Sequence, residues 1–280
     1  MTKLVADQAD GLRRLLAHTP TRVVAIAGMR RREGVTSAAM NFAAALVHQG
    51  KEVLLVDEHP ARADSVAGVW SIRAPAGEGP VRAECGVEFL AAPRWQPQAG
   101  IDLRARRHGG VVLIDAALDD EGRLSPFAQA ADELLLVLQP RADSITTAYA
   151  GIKRLHYAHG LKQLRFLVNG ASGVDEAQKI MSNLANTGSR YLAVSLEPSG
   201  WVRADAHLAD ARRLGRTVVE SFPATPAAVD FRGIAADMLR WPWRAPARTA
   251  QADDARAQER RMAMSQALRV PAPRPASAAA

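Results

Sequence analysis

Cysteine is nearly absent: Cys85 stands alone in 280 residues. No intrachain disulfide is open to it, which points to a reducing cytosol. No run of about 18 apolar residues occurs, so no transmembrane helix is expected. The opening stretch, Met1 to Leu16, carries acids and lacks an apolar core, unlike a secretory signal. The seven histidines show no HxxxH or similar spacing, so no histidine metal site is expected. Zinc-finger and aromatic RNA-binding motifs are also missing, so nucleic acid is not an expected partner. Lysine is scarce, with arginine supplying most of the 36 basic residues.

Apolar residues make up 48% of the chain and the net charge is +7. That is enough for one α/β domain with a large core and a tail. The basic balance suits an anionic partner such as nucleic acid, an acidic lipid surface or an acidic protein. A generally arginine-rich proteome explains it as well.

The stretch from Thr21 to Asp57 organises the rest. Val23 to Ala27 reads as a buried parallel strand. Gly28 to Gly34 is a loop, and Val35 to His48 is a helix stopped by Gly50. Val53 to Val56 is a second strand ending in Asp57. Strand, loop, helix and strand make one βαβ unit, in which anions bind at the loop and helix N-terminus. A nucleotide-binding loop needs glycines, a lysine and a hydroxyl. Gly34 and Thr36 meet two of those needs. Val35 stands at the lysine position, and Met29, Arg30, Arg31, Arg32 and Glu33 fill the loop.

Further along, Thr2 to Ala17 reads as a short helix. Pro60 to Arg107 has poor periodicity, with a short strand at Val87 to Ala91. Val111 to Asp115 is a buried strand ending in a carboxylate, as is usual beside a ligand site. A strand at Leu134 to Leu138 precedes a helix capped by Asp143 or Ser144 and running to His159. Leu164 to Val168 is the next strand and ends at Asn169. Gly173 to Gly188 is helical, and Tyr191 to Leu196 reads as a sixth strand. Helices follow at Ala206 to Arg213 and Thr225 to Arg240. This alternation predicts a mostly parallel, doubly wound α/β sheet with helices on both faces. The domains expected are an N-terminal helix in 1–20, the α/β domain in 21–241 and an Ala/Pro/Arg-rich disordered tail in 242–280. Trp241 and Trp243, flanked by Arg240 and Arg244, form a candidate contact with an anionic membrane surface.

Several stretches resemble one family. Asp7-Gln8-Ala9-Asp10-Gly11-Leu12-Arg13 is similar to the N-terminal motif of the flagellar-number regulators FlhG and FleN, which belong to the MinD/ParA class. Val23 to Asp57, including Asn41, resembles that class. Ala131 to Leu134, Gln139-Pro140, Ser144 to Thr146 and Ala148-Tyr149 follow the family pattern in order. So do Val168-Asn169, Glu176-Ala177, Arg190 to Leu192, Gly200-Trp201 and Val218 to Pro226. The resemblance spans about residues 5–240.

That resemblance implies a P-loop ATPase fold binding ATP with magnesium. Arg30, Gly34, Thr36, Ser37, Asp57, Asp115 and Asn169 are then the cofactor-binding residues, with Thr36, Asp57 and Asp115 serving magnesium. The departures are specific. Arg30 replaces the lysine that reaches across the family's dimer, Val35 replaces the phosphate-binding lysine, and His59 replaces the aspartate that positions water. Hydrolysis is mainly positioning and charge neutralisation at the γ-phosphate, so weak or lost ATPase activity is expected.

The N-terminal motif is intact, and the family relationship implies that it stimulates the FlhF-type GTPase. Gln8 would orient the attacking water, with Asp7 and Arg13 assisting. The alternative is a merely docking helix. Other implied partners are a flagellar transcription activator, a switch-complex protein and a second copy of the chain. The expected location is cytoplasmic, with peripheral contact at the inner membrane or pole left open. The competing functions are an active ATPase that dimerises on ATP and another MinD/ParA-like localisation protein, for cellulose synthesis or pilus assembly.

Overall fold

The computed structural model describes residues 21–73, 79–93, 103, 109–191 and 194–242. The predicted N-terminal helix, with Asp7, Gln8 and Arg13, lies outside them, as does the tail from 243 onward.

Eight strands form one sheet: β1 (Arg22–Gly28), β2 (Val53–Asp57), β3 (Val81–Arg82), β4 (Glu88–Ala91), β5 (Val111–Asp115), β6 (Glu133–Leu138), β7 (Gln163–Ala171) and β8 (Ser195–Arg203). Their spatial order is β3-β4-β2-β5-β1-β6-β7-β8. Only β3 runs antiparallel to its neighbour. The helices are α1 (Val35–His48), α2 (Val66–Val69), α3 (Pro126–Gln129), α4 (Ala142–His159), α5 (Val174–Tyr191), α6 (His207–Arg213), α7 (Val218–Ser221) and α8 (Pro226–Met238).

Between their charged ends the central strands are apolar, because both faces are covered. Along β1 the side chains alternate: Val24 and Ile26 join one core, Val23, Ala25 and Ala27 the other. The first core holds α1 and α8, where Phe42 and Phe231 meet edge to face with ring centres 5.2 Å apart. The second holds the inner face of α4, with Ala148, Ile152 and Leu155 buried. The chain goes from β1 to the β2 side and later returns to β6 on the other. The loop after β1 therefore opens at the crevice where strand order reverses.

Three expectations change. Tyr191 closes helix α5, and the last strand is Ser195–Arg203, not Tyr191 to Leu196. Pro198 and Gly200 read as breakers, but an edge strand tolerates both. Helix α4 begins at Ala142 with Arg141 as its N-cap, so Asp143 and Ser144 lie in its first turn. Trp241 of the candidate membrane contact is buried, and Trp243 lies outside the described residues. The Trp241 carbonyl accepts a 2.6 Å hydrogen bond from Arg22, and the Arg165 guanidinium lies 4.5 Å from its ring centre. Among the described residues, no helix is long and apolar enough to cross a membrane.

Candidate functional site

The loop between β1 and α1 is shaped by two glycines. A Cβ on Gly28 would lie 2.6 Å from Val35 Cγ2 and 2.9 Å from Glu33 Oε2. Gly34 caps α1 at φ 85°, a left-handed conformation that favours glycine. Arg32 adopts φ 66° beside it, unusual for a residue with a Cβ.

Glu33 dominates the interior of this loop. It is 1% exposed. Its carboxylate accepts hydrogen bonds from the backbone N–H of Met29 at 3.0 Å and of Arg30 at 3.3 Å. The Ser144 hydroxyl donates to its other oxygen at 2.8 Å and accepts from the Gln139 N–H at 3.0 Å. Burial pushes the Glu33 carboxyl above the usual range, opposed by these hydrogen bonds and by Arg30. The loop is braced from outside as well. Gln139 donates to the Arg32 carbonyl at 3.0 Å, Asn169 to the Glu33 carbonyl at 2.9 Å, and Arg30 pairs with Asp143. Ser144 is thus committed to the loop, which explains why it does not cap α4.

Val35 lies partly buried against the first core and leaves the lysine position without charge. Thr36 and Ser37 open α1 and line a small cleft with Asn41, Arg212, Arg216 and Thr217. Phosphate binding by such a loop uses its backbone N–H groups and a cation. Here a carboxylate already takes two of those N–H groups, and no lysine follows.

The second group of residues sits at the ends of β2 and β5. Asp57 and Asp115 are directly paired in register. The Asp57 carboxylate accepts from the His59 N–H at 2.9 Å and the Val66 N–H at 3.1 Å. Burial, then the charge of Asp115, raises its pKa to about 7. The Asp115 carboxylate is fully buried, and neither oxygen has a hydrogen-bond partner. His59 Nε2 lies 3.4 Å from Asp115 Oδ1. Burial alone would lower the His59 imidazole, but the surrounding carboxylates, Asp115 foremost, hold it above its ordinary value.

The structure therefore brings Asp57 and Asp115 together as expected and places Arg30, Gly34 and Asn169 around one loop. It adds Glu33 and Ser144, which sequence reasoning had not assigned to a site, and sets His59, read from the sequence as a replaced aspartate, beside Asp115. No metal-donor cluster on histidine was expected, yet one donor atom each from Asp57, His59 and Asp115 lies within 4.8 Å of the other two. The Asp-x-His spacing at a strand end was the available signal.

No protein-family model matches the chain. The antiactivator FleN of Pseudomonas aeruginosa is 30% identical over 246 residues, covering 80% of this chain and 88% of that protein. Among solved structures, the MinD cell division protein of Aquifex aeolicus matches with a TM-score of 0.60 at 19% identity, over 79% of this chain and 98% of that one. MinD of Pyrococcus horikoshii, complexed with Mg-ADP, matches at 0.56 and 18%, over 78% and 96%. The sheet order, the βαβ loop and the extent of the FleN match agree: this chain belongs to the FleN (FlhG) family and has the MinD/ParA-type P-loop fold.

Proposed function

We propose that this protein regulates flagellar number and placement as a scaffold whose own ATPase is weak or lost. Residues 4–16 dock on an FlhF-type GTPase and stimulate it, with Gln8 orienting the attacking water and Asp7 and Arg13 contacting the partner. Residues 21–241 form the carrier domain. A flagellar transcription activator is a second partner, supported by the relative's name, antiactivator FleN. The cytoplasm, where such partners work, is its proposed location. The observation that carries the scaffold reading is the Glu33 carboxylate on the Met29 and Arg30 N–H groups, in a loop that lacks the phosphate-binding lysine. Nucleotide-free action follows from it.

The test is GTP hydrolysis by the FlhF-type partner with the full chain and with a chain lacking residues 1–17. Each is measured with and without ATP. Stimulation is expected to vanish on deletion while the circular dichroism stays that of a folded α/β domain. It is also expected to be the same with and without ATP. Undiminished stimulation after deletion would sink the docking mechanism, and dependence on ATP would restore the active-switch alternative.

A further inference from the structure

We propose that Asp57, His59 and Asp115 form a binding site for one divalent first-row transition-metal ion, zinc being the type, and that it fills without nucleotide. The strongest reason is Asp115. A fully buried carboxylate with no hydrogen bond to either oxygen, and only the His59 imidazole 3.4 Å from one of them, is costly unless its charge is further compensated. The groups facing it are the Asp57 carboxylate, which adds to the negative charge, and the His59 imidazole.

The spacing favours a shared cation over a direct hydrogen bond. His59 Nε2 and Asp115 Oδ1 are 3.4 Å apart. That exceeds the usual N–H···O range of about 2.7–3.2 Å. It matches the edge of a tetrahedron, about 3.3–3.4 Å, around an ion about 2.0–2.1 Å from each donor. All three donor atoms lie within 4.8 Å of one another.

The donors are held in place by their surroundings. Parallel register sets Asp57 beside Asp115. The Asp57 carboxylate accepts the His59 backbone N–H, which fixes the turn carrying the imidazole. Between them Glu58, 1% exposed, accepts the Ala117 N–H at 3.1 Å and the Ser125 hydroxyl. It ties the turn after β2 to the chain after β5. Outer contacts of this kind orient metal ligands. The His59 side chain is 36% exposed, which leaves an entry path and a fourth position for water.

The donor chemistry selects the ion. Magnesium prefers oxygen and keeps much of its water, whereas an imidazole with two carboxylates suits zinc and its neighbours. The site shares two carboxylates with the magnesium arrangement that the family resemblance implies. It differs in using His59, in leaving out Thr36 and in needing no phosphate. It holds whether or not the chain stimulates a GTPase.

The experiment uses the full chain stripped with chelator, free of nucleotide, and titrated with zinc chloride by calorimetry. One equivalent is expected to bind with a dissociation constant of about 1 μM or tighter. His59→Ala is expected to weaken binding about tenfold or more. His48→Ala, at an exposed histidine of α1, is expected to leave it unchanged. Cobalt(II) in place of zinc should give the visible bands of a tetrahedral site, absent in His59→Ala. Because His59 is partly exposed, that variant is expected to keep the circular dichroism of the parent. Failure to bind zinc overturns the proposal and leaves a protonated His59 as the partner of Asp115. Binding that survives His59→Ala, or that about 10 mM magnesium displaces, overturns it too.

Discussion

A buried carboxylate normally needs a cation, yet Glu33 is held by two backbone N–H groups and a hydroxyl. Burial raises its pKa, so folding favours its protonated form. The sign follows by linkage. The contribution is fully present below the unfolded carboxylate's range and is lost as pH rises through the higher folded value. Stability curves of the parent and of Glu33→Gln, measured by urea unfolding between about pH 4 and 7, are therefore expected to separate. The parent should lose ground to the variant as pH rises. A parent that gains on the variant would mean that the hydrogen bonds outweigh burial. Sequence reasoning located this loop and its missing lysine but not Glu33, because its partner Ser144 is 111 residues away. Asp57 and Asp115 were legible as carboxylates at the ends of apolar runs. His59 read only as a lost aspartate, because its nearness to Asp115 follows from strand order. Periodicity does not report strand order.

Element boundaries were clearest where the pattern was longest. Helix α1 runs from Val35 to His48 as expected, and β5 from Val111 to Asp115. Shorter elements escaped. The two-residue β3 and the one-turn helices α2, α3 and α7 are too brief for a period to show. Helix α7 did carry a signal in Thr217-Val218-Val219-Glu220, a capping box whose two hydrogen bonds both form. It has a second support. The buried Asn41 side chain accepts from the N–H groups of Val218 at 2.9 Å and Val219 at 3.3 Å. Asn41→Ala strands two buried donors, whereas Thr217→Ala removes one cap. Losses of about 2–4 kcal/mol for the first and about 1 kcal/mol for the second are expected from denaturant unfolding. The reverse order would mean that Asn41 is not what holds this turn.

At the scale of the whole domain, the end of α8 is fastened to the edge of the sheet opposite the loop. Arg22 donates to the carbonyls of Met238 at 2.8 Å and Trp241 at 2.6 Å. Arg165 covers the Trp241 ring while pairing with Glu133 at 3.4 Å and Glu197 at 2.7 Å. Two strands, β1 through Arg22 and β7 through Arg165, thus hold the last residue of the expected domain, and Glu133 of β6 and Glu197 of β8 steady Arg165. Trp241→Ala is expected to lower unfolding stability by about 3–5 kcal/mol, with Trp241→Phe losing less. Equal stability of parent and Trp241→Ala would show that the domain ends before this residue. The overall architecture was legible because alternating apolar strands and amphipathic helices admit few arrangements. This clasp was not, since it joins residues 219 apart in sequence. The same tethering matters at the loop. Glu33 is anchored a few residues from the N–H groups it occupies, so its effective concentration there is millimolar or more and never falls by dilution. A free anion must outcompete a ligand that cannot leave. On the scaffold reading, such a loop keeps one shape at any ratio of ATP to ADP, so the cell's energy charge drops out and protein abundance becomes the variable.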